Sequence, residues 1–487
     1  MNYWYRLFLG LSIFVLQISL AIAQDAEYEK WLNQEEGKLQ QFKEERDKEF
    51  SEFLKREWKE AQASQSEVPQ PQPEPSSLPH YEGKARELPQ SDVKPSLVAP
   101  AIPVVAQKEN APIQQPVSNY QHTAILNYYS IPIYFGYQEI PLSDADSKTS
   151  QEHIVKTWAS LNNWNYTDLL KQALTESKKR SLNDWGYTLL LYEMGKKFFQ
   201  DSKNDATLFT WFMLSKSGFN VKVAYNDNDI ALLIPTRNML YNTIYFTIKG
   251  DSVKYFAPSL EHKKVSGEGF LTYKGEYAGA NKLISFDVVT IPNLVQKNST
   301  KELLFGYDTS KYIIKTEFSN DAVSFFEYYP QVNYEVYFNA PCSQAMSQSL
   351  LPQLAEIIQG KSETEAINIL LRFAQTAFQY KVDAEQFGRE KPFFPDEILY
   401  YPYSNCKDRA IVFASLVVHL LGYEVIGLQY PDHVATAVKF QGQIKGDAVM
   451  HQGKKFVICD PTYINADIGM CMPQFKNVQP KVIALHN

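Results

Sequence analysis

Four cysteines in 487 residues are too few for a disulfide scaffold, and no two of them stand as Cys-x-x-Cys. The chain also lacks a Gly-rich phosphate loop, a His-Glu-x-x-His pair and a calcium loop, so no cofactor or metal is implied. A surplus of basic charge is missing too. With 48 Lys and Arg against 55 Asp and Glu, the net charge of −7 gives no reason to expect nucleic acid as a partner. Beyond Gln24 no apolar run reaches membrane-spanning length. What is present is a chain long enough for more than one domain, with 44% hydrophobic residues to build a core. Aromatic residues make up 14%, led by 31 Tyr and 29 Phe.

The N-terminus has one Arg, an apolar run from Leu7 to Leu20, and Ala21-Ile22-Ala23 before Gln24. This reads as a cleavable secretory signal peptide over 1–23, with an uncleaved anchor helix as the competing reading. No cysteine follows the cleavage site, which argues against a lipoprotein. The mature protein is therefore expected to be secreted or periplasmic, without an integral membrane span. In an oxidising compartment one disulfide among Cys342, Cys459 and Cys471 is compatible with a free thiol at Cys406.

Residues 24–62 mix charges of both signs with no Pro and one Gly, and Trp31, Leu39, Phe42, Phe50, Phe53, Leu54 and Trp58 recur at roughly helical spacing. A long, exposed, charged helix is expected, its stripe either packing on the body or serving a partner protein. Residues 63–118 turn Pro- and Gln-rich and lose all periodicity, the composition of a semi-rigid linker that holds the helix away from the globular part.

The globular region begins near Asn119 and contains an internal repeat. KNDATLFTWFMLSKSGFNVKVAYNDND aligns with KDRAIVFASLVVHLLGYEVIGLQYPDH, Gly218 falling on Gly422. Repeated helix, helix, strand order in both halves argues for duplication. Between the copies KYIIKTEF, AVSFFEYY and NYEVYF read as strands of an antiparallel sheet, and 343–380 as helices covering the helix that Cys406 opens.

The second copy carries the chemistry. Cys406 opens an apolar helix pattern that Gly422 ends, His433 opens a strand, and Asp460 closes another before Pro461. A hairpin through loop 441–453 that pairs Phe440 with Gly453 sets His433 opposite Asp460, within hydrogen-bonding reach. A helix N-terminus favours the thiolate form of a cysteine placed there. Cys459 alternates away from Asp460 and reads as core. In the first copy Ser202 falls at the Cys406 position and Asn228 or Asp229 at the His433 position, so that copy cannot run thiol chemistry.

These residues resemble the transglutaminase-like branch of the papain-type cysteine enzymes, secreted bacterial type. There Cys-x-Asp starts a helix ending in Leu-Gly-Tyr, a strand begins with His, and the next ends in Asp-Pro-Thr. The resemblance covers about 390–470. Asn405 departs from the Asp or Gly usual in the family, and the His-to-Asp segment is longer. It implies Cys406 as nucleophile, His433 as base and Asp460 as orienter, with Asp408 structural. The Cys406 N–H and the hydroxyl of Tyr401 or Tyr403 are candidate donors to an oxyanion, aromatic packing being the alternative for the tyrosines. The insert 381–405, with Asp383, Glu385, Arg389, Glu390 and Lys391, either lines the cleft or is a solvated loop.

The expected fold is thus α+β, with 119–290 a degenerate transglutaminase-like unit and 291–487 the catalytic domain, its helix packed on an antiparallel sheet. The expected function is a thiol-dependent protease or amidase acting on a protein or peptide through a thioester. The alternatives are a protein-crosslinking transglutaminase and a non-catalytic binding protein that keeps the fold.

Overall fold

The computed structural model describes residues 38, 41–56, 58–61, 63–65, 78–83, 88–98, 120–141, 149–248, 252–261, 265, 268–294 and 297–486. The expected signal peptide and much of the Pro-rich stretch lie outside these residues. The class is α+β, with helices packed on antiparallel sheets. Among the described residues no helix is long and apolar enough to cross a membrane.

The first half opens with a hairpin, His122–Tyr128 and Ile131–Tyr137, whose two-residue turn holds Tyr129 and Ser130 at positive φ. Helices Gln151–Asn162, Thr167–Lys179, Asp184–Phe198 and Lys203–Lys216 follow. The last two approach so closely that a Cβ on Gly195 would lie 2.9 Å from the Ala206 Cα, which is why a glycine stands there. Helix Lys203–Lys216 starts on Ser202, whose Oγ accepts from the Asp205 N–H, and the chain turns out of it at Gly218.

The repeat is visible in the strand pairing. Lys222–Tyr225, Ile230–Thr236, Lys254–Phe256 and Ile244–Thr247 lie side by side in that order, all antiparallel. Val425–Tyr430, His433–Val438, Lys454–Cys459 and Ala448–His451 lie in the same order with the same pairing. The first pair even shares its register. Tyr225 faces Ile230, and Gln429 faces Val434, each residue moved on by the interval that carries Gly218 to Gly422. Lys481–Ala484 completes the second sheet beside Val425–Tyr430.

In the second half the hairpin Asn298–Tyr307 and Ser310–Ser319 buries Leu303, Phe305, Ile314 and Phe318 on one face and leaves Leu304 and Ile313 exposed on the other. The expected strands after it are helices instead, Asn320–Phe326 and Tyr334–Asn339. Ser319 caps the first through the Ala322 N–H and Asp321 sits in its first turn, local signals that outweigh the β-rich composition. Helices Gln344–Ile358 and Glu363–Thr376 come next, and Glu363–Thr376 packs on Cys406–Leu421.

The N-terminal segment does not stand away from the body. It is helical over 41–54, and the later part of its stripe packs on the chain, while Phe42 stays exposed and Trp31 and Leu39 lie outside the described residues. Phe50 and Leu54 are buried, and the Phe50 ring meets Trp158 edge-on at 4.8 Å. Asp47 forms a buried ion pair with Lys216, 2.5 Å from Oδ1 to Nζ, and accepts from the Tyr277 hydroxyl. After the helix, Lys59–Glu60 and Ala63–Gln65 pair with opposite edges of the first sheet. Charged composition misled because Phe50, Leu54 and Trp58, together with Asp47, find partners far along the chain.

Candidate active site

The structure brings His433 and Asp460 together. His433 begins the strand His433–Val438 and Asp460 follows the strand Lys454–Cys459, both side chains being buried. The His433 Nε2 lies 2.9 Å from the Asp460 Oδ2. The register that achieves this differs from the expected one. Val438 faces Val457 and Thr436 faces Cys459, a slip of two residues from the pairing of Phe440 with Gly453. An even slip keeps both residues on one face, so the contact is made diagonally. Part of the expected loop 441–453 is itself a strand, Ala448–His451, which turns through Gln452 and Gly453 into Lys454–Cys459. His451 therefore lies in an edge strand.

Each group of the pair is held from several sides. Asp460 Oδ1 accepts from the Thr462 N–H at 3.0 Å, the Thr462 hydroxyl at 2.8 Å and the Tyr463 N–H at 3.2 Å. Burial pushes the Asp460 carboxyl up, but the facing His433 and these donors outweigh it and hold the group below the usual carboxylate range. The imidazole stacks on Phe475, 5.3 Å between centroids and 6° between planes, and Tyr430 faces His433 across the strand pair. With Nε2 on Asp460, Nδ1 is the ring atom left to exchange a proton with a substrate or a thiol.

Cys406 is the first residue of helix Cys406–Leu421 and is buried. Asp408 has the structural role expected of it: its Oδ2 accepts from the Asn405 N–H at 2.9 Å and its Oδ1 from the Phe393 N–H at 3.1 Å. One turn in, Arg409 is fully buried and donates to the carbonyls of Gln375 at 2.8 Å and Phe378 at 2.7 Å. Gln375 in turn directs its Nε2 to the carbonyls of Asp460, Tyr463 and Ala466, at 3.0, 2.8 and 2.9 Å. One glutamine thus ties the start of the Cys406 helix to the turn that carries Asp460.

In the insert 381–405 Asp383 and Lys391 are buried, while Glu385 and Arg389 are exposed as a solvated loop would have them. Asp383 accepts from the Asn405 side chain and the Lys391 N–H, both at 2.7 Å, and pairs with Lys407 at 2.7 Å. Lys391 pairs with Glu397 at 2.5 Å. All four charged groups are buried, and together they fix the approach to Cys406. Tyr401 is held in an aromatic stack with Phe393, 4.8 Å between centroids, while its carbonyl accepts from Lys301. Tyr403 pairs through its backbone with Gln379. Neither tyrosine is among the hydrogen-bond partners of His433 or Asp460.

All four cysteines are free thiols. Burial pushes Cys342 up to about 12 and Cys471 up to about 11, and drives Cys459 higher still. Cys459 points into the main core, as its alternation with Asp460 required. Among the described residues no group of His, Cys, Asp and Glu is arranged to hold a metal ion.

Sequence reasoning did not find Gln375, Phe475 or Tyr430. Thr462 was present in the Asp-Pro-Thr signature without a role, whereas a lone buried amide in the last turn of an apolar helix leaves no local signal. Gln375→Leu strands three carbonyls in the interior. A loss of about 2–4 kcal/mol in urea unfolding is expected, and a loss under 1 kcal/mol would show that the tie carries no weight.

No family model, no curated protein and no solved structure matches the chain.

Proposed function

We propose that this chain is a thiol-dependent hydrolase of amide bonds in proteins or peptides, built on a transglutaminase-like unit and acting outside the cytoplasm. The observation that carries the reading is the buried His433–Asp460 pair, held by the same Gln375 that anchors the helix headed by Cys406. In this mechanism the Cys406 thiolate attacks the carbonyl carbon, and imidazolium His433 gives its proton to the leaving amine as the C–N bond breaks. Water, deprotonated by His433, then opens the thioester to a carboxylate and returns the thiol. Asp460 fixes the imidazole tautomer throughout. The helix N-terminus favours the thiolate, and the Cys406 N–H serves as an oxyanion donor in this mechanism.

The same thioester can be opened by an amine, which would make the protein a crosslinking enzyme. Incubation with a peptide library and a labelled primary amine separates the two. Cleaved peptides without label are expected; label incorporated without cleavage would reverse the assignment, and neither product would favour a binding protein.

A further inference from the structure

Residues 78–83, within the stretch expected to be a semi-rigid linker, return to the site. Pro79, His80 and Tyr81 run parallel to the chain at Ile464, forming a bridge there. The Ile464 N–H donates to the Pro79 carbonyl at 2.9 Å and the Tyr81 N–H donates to the Ile464 carbonyl at 2.8 Å. Ile464 lies just beyond Asp460, Thr462 and Tyr463, on the turn whose carbonyls Gln375 holds. The Tyr81 ring meets Tyr463 edge-on at 6.0 Å and packs against the cluster containing Tyr430 and Phe475, the two rings that flank His433.

Resting on the active-site reading above, we propose that the edge at Tyr463–Ile464 is a docking surface for an extended polypeptide with an aromatic side chain at the Tyr81 position. In this structure residues 78–83 of the chain itself are the occupant. The chemistry of recognition is that of strand addition: backbone groups pair with Ile464, and one side chain settles on the aromatic shelf beside the imidazole. The occupant is suited to exchange. His80, Glu82 and Gly83 are exposed, only one bridge joins the segment to the edge, and it belongs to no sheet of its own. What holds it is covalent attachment, which gives a weak contact an effective concentration in the millimolar range. A polypeptide substrate must therefore displace the chain's own segment before it reaches His433, and the segment acts as a tethered competitor.

Direct binding to the full chain tests this without depending on catalysis. The probe is a fluorescein-labelled peptide with the sequence Leu78–Gly83, and the variant Tyr81→Pro removes the N–H that bonds Ile464. Both proteins carry Cys406→Ala, so turnover cannot alter the probe. Polarisation should show the Tyr81→Pro protein binding the peptide at least tenfold more tightly than the protein with native Tyr81. A peptide carrying proline at that position should bind neither. Equal binding by the two proteins, or none by either, would overturn the proposal. Because this readout involves no thiol, it fails or succeeds apart from the hydrolase reading, which rests on Cys406 reactivity.

Discussion

Alkylation of Cys406 by iodoacetamide at pH 6 is expected to run at least tenfold faster than that of an exposed cysteine, and His433→Ala should remove the advantage. A free cysteine titrates near 8.5, so at pH 6 well under one per cent is thiolate. In the proposed mechanism the helix N-terminus and His433 favour the Cys406 anion, and that advantage is what the alkylation rate reads. The other three thiols do not confuse the measurement, since burial pushes each of them upward. Asp460→Asn should fall between the wild type and His433→Ala, because it leaves the ring but releases its tautomer. If Cys406 reacts no faster than the exposed reference and His433→Ala changes nothing, the catalytic reading fails.

The second large effect lies far from that site. Lys216→Met should cost about 3–5 kcal/mol, because it leaves the Asp47 carboxylate buried without its cation. Asp47→Leu combined with Lys216→Met should recover most of the loss, since an apolar pair of similar volume needs no desolvation of charge. The pH dependence is distinctive. Burial outweighs the attraction of Asp47 and lowers Lys216 to about 8, so between pH 8 and 10.5 the unfolded chain holds a proton that the folded one has released. Unfolding takes up a proton in that window, and the stabilising contribution of Lys216 rises with pH. The stability gap between wild type and Lys216→Met, measured by urea unfolding at pH 7 and pH 10, should therefore widen. A constant gap, or a single-variant loss under 1 kcal/mol, would mean the pair does not secure the N-terminal helix.

The parts of this protein that were legible in its sequence are those encoded within one element. Cys406 at a helix start and His433 and Asp460 at strand ends follow from periodicity and from the glycines and proline that bound them. The shared strand order of the two halves was legible because Gly218 and Gly422 punctuate the same helix-to-strand passage. What escaped depends on distant partners. The slip of two residues arose from treating 441–453 as one loop, when the short strand Ala448–His451 takes up part of its length. Asp383 and Lys391 look as solvated as Glu385 and Arg389 until Lys407 and Glu397 are seen beside them. Asp47 reads as one more surface charge on a charged helix, because its lysine lies 169 residues further on.

The shared register of the first strand pair in each sheet bears on how the chain reaches its native state. Lys222–Tyr225 and Val425–Tyr430 present the same side-chain spacing to their neighbours, so during refolding each can accept the strand meant for the other. Such exchange within one molecule joins the halves wrongly, and between molecules it links chains through swapped strands. Synthesis from the N-terminus lessens the hazard, since the first sheet can close, its edges covered by Lys59–Glu60 and Ala63–Gln65, before the second set of strands exists.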